Sequence, residues 1–195
     1  AMVQPVVTVA MYYVVFQVIM PQKAQLLGDG IEVPYLVFLT AGLVPWFYFS
    51  EALTNGMMAL LEYEYLVKKV VFKISILPII KIIAATFIHG FFVLVLLIIA
   101  FFYGFTPSLY TLQTFYYSFC MFALVLAISY TTCSVVIYFR DLQQIVGIGL
   151  QIGMWATPVL WQLGTLSKKA QMLVKINPLV YIVEGYRSSI YEKQW

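Results

Sequence analysis

The 195-residue sequence has few of the side chains on which enzymes and nucleic-acid-binding proteins depend. Only 10% of its residues are charged, its net charge is +3, and it has a single histidine. No Gly-rich phosphate loop, GxGxxG or HExxH spacing occurs. The scarcity of polar groups argues against a catalytic triad or a chain of proton-relaying side chains. The small, scattered positive charge does not indicate nucleic-acid binding.

Cysteine is also scarce, and its placement argues against a metal site or a disulfide. Cys120 and Cys133 lie in the same apolar run, and neither has Cys or His neighbours at a metal-binding spacing. We therefore interpret both as packing residues and expect no metal site.

Hydrophobic residues are abundant instead, at 63% of the chain, with a mean hydropathy of +0.94. Soluble domains contain about 45–50% apolar residues, so the composition indicates an integral membrane protein. The apolar runs are too long and continuous for barrel strands, and lipid leaves only helices as the alternative. The expected fold class is therefore all-α, a bundle of transmembrane helices.

Five spans are predicted, at residues 1–20, 35–61, 74–102, 109–138 and 145–163. The sequence begins AMVQPVV, with no initiator Met and no basic segment of a signal peptide, so we expect it to start inside a longer protein. Segment 21–34 has the Gly and Pro content of a loop.

Segment 62–73 is the densest charged region between two apolar runs. At helical spacing its lysines and its apolar residues separate, so it could lie as an amphipathic helix in the membrane interface. An ordinary connector with snorkelling lysines is the alternative. The positive-inside rule does not orient the chain, because the basic residues near span ends are evenly divided between the two sides.

Three features inside the spans stand out. Glu51 is an intramembrane carboxylate, which is either functional or paired with a neighbouring helix. His89 is expected to bond to a neighbouring helix rather than to carry protons. Gly149 and Gly153 form a GxxxG face, where another helix can approach closely.

Segment 164–195 alternates basic and apolar residues too often to span a membrane. We predict one or two amphipathic helices that lie at the bilayer surface or re-enter it. Asn177-Pro178 is typical of a helix start. The apolar face of that helix would comprise Leu179, Ile182, Val183 and Tyr186.

Five stretches in this order resemble the ABC-2 class of transporter permeases: GLVPWFYFSEAL, YLVKKVVFKISILPI, FRDLQQIV, MWATPVLW and INPLVYIVEGYRSSIY. Within that class the sequence is most similar to exporters of lipid-linked polysaccharides, especially the wall teichoic acid exporter permeases of Gram-positive bacteria. The resemblance implies one ABC-2 transmembrane domain over 1–195, within a six-span fold that also has an N-terminal interfacial helix. That helix and the sixth span are expected outside this sequence.

The resemblance also implies a multi-pass protein of the bacterial cytoplasmic membrane. It would be a homodimer that works with two copies of a separate ATP-binding subunit. Its substrate would be a lipid-linked glycopolymer, and membrane lipid would surround it. This chain would hold no cofactor and no catalytic residue, and ATP and Mg would bind to the partner. The amino terminus would face the cytosol, with a cytosolic coupling segment at 62–73 and an extracellular gate region at 164–195.

The residue roles that the resemblance implies fall into three sets. The ATPase-coupling set is Glu62, Glu64, Tyr65, Lys68, Lys69, Phe72, Arg140 and Asp141. The outer-gate set is Asn177, Pro178, Glu184, Gly185 and Arg187. Gly149 and Gly153 would pack near the dimer interface or the conduit.

We add a hypothesis for the substrate conduit, because flat aromatic faces can slide against sugar rings without fixing any one of them. The conduit candidates are Tyr12, Tyr13, Trp46, Phe47, Tyr48 and Phe49, with Glu51 beside them. The alternative is that these aromatic residues serve packing or the interfacial belt.

Three other functions stay open at this stage. Within the class, the substrate could be O-antigen, a drug or a simple lipid. A structural subunit of a membrane complex needs no transport path and no ATPase partner. A secondary transporter is disfavoured by the scarcity of membrane charges.

Overall fold

The computed structural model describes residues 3–19, 24–26, 32–64 and 73–193. Its α-helices are α1 (Val3–Tyr13), α2 (Tyr35–Glu62), α3 (Ile76–Phe102), α4 (Gln113–Val136), α5 (Leu142–Ala156), α6 (Lys168–Val174) and α7 (Pro178–Arg187). Single π-helical turns follow α1 and α7, at Val14–Ile19 and Ser188–Glu192, and short 3₁₀ helices cover Leu109–Leu112 and Leu163–Thr165. Two short strands, β1 (Gln25–Leu26) and β2 (Glu32–Val33), pair antiparallel.

Three helices in the described residues are long and apolar enough to cross a membrane: α2, α3 and the continuous helix Leu109–Val136. They match the spans predicted at 35–61, 74–102 and 109–138. The all-α fold class is confirmed. Helix α2 is the central element, because it is the most buried of the three and packs against α3, α4, α5 and α7.

The predicted fifth span is shorter in the structure, because α5 ends at Ala156 rather than at residue 163. Helix α1 and its π-helical turn cover 3–19 of the predicted first span, whose other residues lie outside the described ones. The cause at α5 is Pro158, which disfavours the helical conformation of the residue before it. Thr157 accordingly has φ −90° and ψ 140°, so the chain is already extended there.

Helices α3 and α4 present large apolar side chains on their outer faces. Phe87, Phe102 and Phe119 are each more than two-thirds exposed within the single chain. Such faces are typical of helices that contact lipid or a partner. On the inner side α2 and α4 approach closely, since a Cβ on Gly56 would lie 2.5 Å from the Oγ of Ser129.

Helix α7, in the C-terminal segment of the chain, packs against the long helices. Helix α7 begins at Pro178 as predicted, and Asn177 caps it by accepting a hydrogen bond from the Leu179 backbone N–H at 3.1 Å. The predicted apolar face is confirmed, because all four of its residues are buried. It packs against α2 and α4, so α7 lies among the long helices rather than on the outside of the chain.

Candidate functional site

One end of the bundle is held together by polar contacts between the ends of α2, α3 and α4. Lys81 of α3 forms an ion pair with Glu62, the last residue of α2, and its Nζ lies 4.9 Å above the ring centre of Tyr63. The Tyr130 hydroxyl of α4 donates to the Ser75 carbonyl at 2.7 Å. We call this end, formed by residues 62–64, 73–81 and 137–142, the coupling end.

The described members of the predicted coupling set all lie at this end. Glu62, Glu64, Arg140 and Asp141 are exposed, the last two in the turn that joins α4 to α5. The other four members, Tyr65, Lys68, Lys69 and Phe72, lie outside the described residues. The position of Lys81 near the start of an apolar run predicts that it snorkels toward the interface, but the sequence does not predict its ion pair with Glu62.

The aromatic row of α2 lies mostly inside the packed core. Trp46, Tyr48 and Phe49 are at most 6% exposed, and Phe47 is half-buried. Trp46 packs on Phe49, with ring centres 5.8 Å apart. This burial favours the packing alternative over a conduit lining, and the conduit role of these residues stays a prediction.

The remaining conduit candidates are more accessible. Tyr12 is half-buried, and Tyr13 is 46% exposed beside an apolar groove between α1, α2 and α3. Glu51 is half-buried, and among the described residues no ion pair involves it.

A buried polar cluster joins four helices at the middle of α3. His89 Nε2 lies 2.7 Å from the Tyr186 hydroxyl of α7 and 3.2 Å from Ser118 Oγ of α4. Tyr48 of α2 stacks on the imidazole with ring centres 4.4 Å apart, and its hydroxyl hydrogen-bonds Thr86 at 2.8 Å. The prediction that His89 bonds to a neighbouring helix is confirmed. We call these five residues the His89 cluster.

A second cluster is built around Arg187, the last residue of α7, which is 1% exposed. Its Nη1 donates to Glu184 Oε1 at 2.8 Å, and its Nη2 donates to the Val159 carbonyl at 2.9 Å. The guanidinium lies 3.8 Å above the ring centre of Phe38. Burial raises the pKa of the Glu184 carboxyl, and the Arg187 charge opposes that rise. This arrangement fixes α7 to the first turn of α2.

Glycines permit both attachments of α7. A Cβ on Gly42 would lie 2.7 Å from the Val159 carbonyl and 3.0 Å from Arg187 Nη2. A Cβ on Gly185 would lie 2.3 Å from the ring of Tyr117 on α4. Neither position has room for a larger residue.

All five predicted gate residues therefore lie in or beside α7. Asn177 also donates from Nδ2 to Thr157 Oγ1 at 3.1 Å, which ties the start of α7 to the end of α5. Their contacts with Phe38, Tyr117 and Val159 are not predicted by the sequence, since no local pattern relates these three residues to α7.

The two glycines of the GxxxG face, Gly149 and Gly153, have different surroundings. A Cβ on Gly153 would lie 3.0 Å from the Trp46 ring, so this glycine packs against α2. Gly149 is exposed, and no atom outside its own stretch of helix lies within 4 Å of where its Cβ would be. The role of the two glycines near the dimer interface or the conduit stays a prediction.

The long apolar helices, with polar contacts at their ends, are typical of a membrane-embedded protein. Residues 1–191 match the ABC-2 type transporter family, so the chain belongs to that family. It is a multi-pass protein of the bacterial cytoplasmic membrane. Permeases of this family are the membrane subunits of transporters and work with a nucleotide-binding ATPase subunit.

Curated relatives cover nearly the whole chain. The chain is 26% identical over 187 residues to an O-antigen export system permease protein RfbA from Klebsiella pneumoniae, which covers 94% of this chain and 68% of the relative. It is 26% identical over 190 residues to the Myxococcus xanthus protein of the same name, covering 96% and 70%. The resemblance to polysaccharide exporters is thereby confirmed.

Proposed function

We propose that this chain is the permease of an ATP-driven exporter that moves a lipid-linked polysaccharide of the O-antigen type across the cytoplasmic membrane. The observation that carries the proposal is the similarity to O-antigen export permeases over 94–96% of the chain. A structural subunit would not require this similarity. Wall teichoic acid, which the sequence resemblance favours, is the second candidate substrate.

The arrangement of polar groups supports a permease driven by a partner. The coupling end carries exposed charges, among them Glu62, Arg140 and Asp141, that a soluble subunit can reach. Arg187, by contrast, lies beside Phe38 in the first turn of α2, about 36 Å from Glu62 along that helix. We propose that a separate subunit binds ATP and Mg at the coupling end, and that a second copy of this chain completes the conduit.

Helix α3 offers a mechanical link between the two regions. Lys81 holds it to the end of α2, and His89, about 12 Å further along the same helix, bonds to Tyr186 of α7. A push on the coupling end would therefore reach the gate helix through one rigid element. In this mechanism the two copies part, and the glycolipid passes between them.

The test is export by the full-length permease, co-expressed with its candidate ATPase subunit and reconstituted in proteoliposomes. The vesicles receive undecaprenyl-linked O-polysaccharide or undecaprenyl-linked teichoic acid, and ATP-dependent transfer across the bilayer is measured. We expect transfer of the O-polysaccharide. A Glu64→Lys, Lys69→Glu double variant should retain the complex but lose the coupling of ATP hydrolysis to transfer.

Each outcome decides between the candidates. Transfer of teichoic acid alone would replace the proposed substrate by the second candidate. Failure of the permease to bind any ATPase subunit would reject the exporter assignment and favour a structural subunit.

A further inference from the structure

A cavity of about 270 Å³ lies beside the Arg187 cluster, far from the coupling end. Phe38 and the 3₁₀ helix Leu163–Thr165 form part of its wall, together with α6, α7 and the π-helical turn after α7. Its polar lining is Gln162, Gln171, Glu184, Arg187 and Glu192. We call it the Glu192 cavity. None of its lining residues except Glu184 and Arg187 belongs to the predicted site sets.

Two residues that line the cavity have buried polar atoms that the chain itself does not use. The Nε2 of Gln162 and the Nε of Arg187 are buried, and neither finds a hydrogen-bond partner among the described residues. Arg187 is 99% buried, since its relative exposure is 1%. Buried polar atoms of this kind are almost always satisfied in native proteins, so their presence here points to a ligand or to ordered water.

The side chains that surround the cavity are already oriented. Glu184 is fixed by Arg187, and Glu192 accepts a hydrogen bond from the Ser188 hydroxyl at 2.8 Å. Gln171 donates from Nε2 to the Leu166 carbonyl at 2.9 Å, which directs its amide. A ligand would therefore meet preorganised groups, and little side-chain entropy would be lost on binding.

The charge of the lining indicates which ligands fit. It holds two carboxylates and one guanidinium, and the guanidinium already pairs with Glu184. A phosphate would meet net negative charge and is disfavoured. A metal ion is disfavoured too, because no group of three metal-ligating side chains occurs among the described residues.

A neutral, hydroxyl-rich ligand suits this lining. Carboxylates only accept hydrogen bonds, amides both donate and accept, and each sugar hydroxyl can do either. Hydroxyls of a sugar can thus donate to Glu192 and both donate to and accept from the amide groups that line the cavity. We propose that the Glu192 cavity binds a single neutral sugar unit of the exported chain where it leaves the bundle. This inference rests on the proposed export function for the origin of the sugar.

The test measures binding directly and does not depend on transport. A reporter cysteine, Gly164→Cys, is introduced at the wall of the cavity, where an added Cβ meets no atom within 4 Å. Cys120→Ala and Cys133→Ala remove the thiols of this sequence, and any other cysteine of the full-length complex is replaced in the same way. The full-length variant with its ATPase subunit is reconstituted, and its labelling rate by a charged methanethiosulfonate reagent is followed.

The probes are methyl galactoside, methyl mannoside, N-acetylglucosamine and glycerol 3-phosphate. We expect at least one neutral sugar to slow labelling several-fold, and glycerol 3-phosphate to have no effect. Glu192→Gln and Gln162→Leu should each weaken that protection by roughly five- to tenfold, since Gln162→Leu removes a hydrogen bond to the ligand and Glu192→Gln replaces a charged acceptor by a weaker neutral one. Glu32→Gln is the matched control, because Glu32 is exposed near the start of α2 and does not line the cavity.

The outcomes separate this inference from the proposed function. If no sugar protects the reporter, if glycerol 3-phosphate protects it equally, or if Glu192→Gln behaves like Glu32→Gln, the sugar site is rejected even when native export is normal. If sugars protect the reporter but no lipid-linked polysaccharide is transferred, the site stands and the export function fails.

Discussion

The close approach of α7 to α4 at Gly185 gives the sharpest test of the structure. In Gly185→Ala the new Cβ would lie 2.3–2.4 Å from three ring atoms of Tyr117. Carbon atoms pack at about 3.5–4.0 Å, so the ring or the helix must move by more than 1 Å. Overpacking of this kind costs about 1–3 kcal/mol.

Helix propensity acts in the opposite direction and must be separated from the steric cost. Replacing Gly by Ala inside a helix stabilises it by about 1 kcal/mol. Gly90→Ala in α3 is the matched control, because nothing lies within 4 Å of its added Cβ. The difference in unfolding free energy between the two variants isolates the steric term. At about 2–4 °C per kcal/mol for a chain of this size, Gly185→Ala should melt about 2–12 °C below Gly90→Ala.

Thermal unfolding of the purified complex in detergent measures this difference, and a second substitution identifies its cause. Tyr117→Leu shortens the opposing side chain, so the Gly185→Ala, Tyr117→Leu double variant should be more stable than the sum of the single effects predicts. Equal melting temperatures for Gly185→Ala and Gly90→Ala would refute the close approach of α7 to α4.

Three further substitutions test the polar contacts. Arg187→Met leaves the Glu184 carboxylate without its partner and should destabilise the protein by about 3 kcal/mol. This is near the lower limit for a buried pair, because Glu184 is partly exposed. Adding Glu184→Gln should restore part of the lost stability, as measured by thermal unfolding. Tyr186→Phe removes the hydroxyl of the His89 cluster and should cost about 1–3 kcal/mol, whereas an unchanged melting temperature would contradict the hydrogen bonds described. Glu62→Lys should change stability by less than about 1 kcal/mol, since its pair with Lys81 is partly exposed. The Glu62→Lys, Lys81→Glu double variant should recover any lost coupling between ATP hydrolysis and export.

Local sequence features predicted the long helices but not the faces that these helices bury. The runs that became α2, α3 and α4 were recognisable by length and hydropathy, and Asn177-Pro178 marked the start of α7. In a membrane protein both the lipid-facing and the core-facing sides of a helix are apolar, so periodicity does not reveal which side is inside. For this reason the burial of Trp46 and Tyr48 could not be distinguished from a conduit lining.

Long-range contacts were also beyond sequence reasoning. His89 and Tyr186 lie 97 positions apart, and Arg187 and Val159 lie 28 apart, so no local pattern relates them. The end of α5, by contrast, is encoded locally, because Pro158 disfavours a helical conformation at Thr157. The sequence predicts a kink at Pro158, but the apolar run continues to residue 163, so hydropathy places the end of the span there.

The two buried clusters give α7 a different character from a helix that lies on a membrane surface. A surface helix would be held by apolar burial and could slide or rotate at little cost. Tyr186 and Arg187 instead fix α7 through directional hydrogen bonds to α3, α4 and the chain after α5. In a poorly hydrated interior such bonds are costly to break one at a time, because no water replaces the hydrogen bond that a freed partner loses. Helix α7 should therefore move as a unit with the helices that hold it, and a gate built from it would open by displacement of the whole assembly rather than by local loosening.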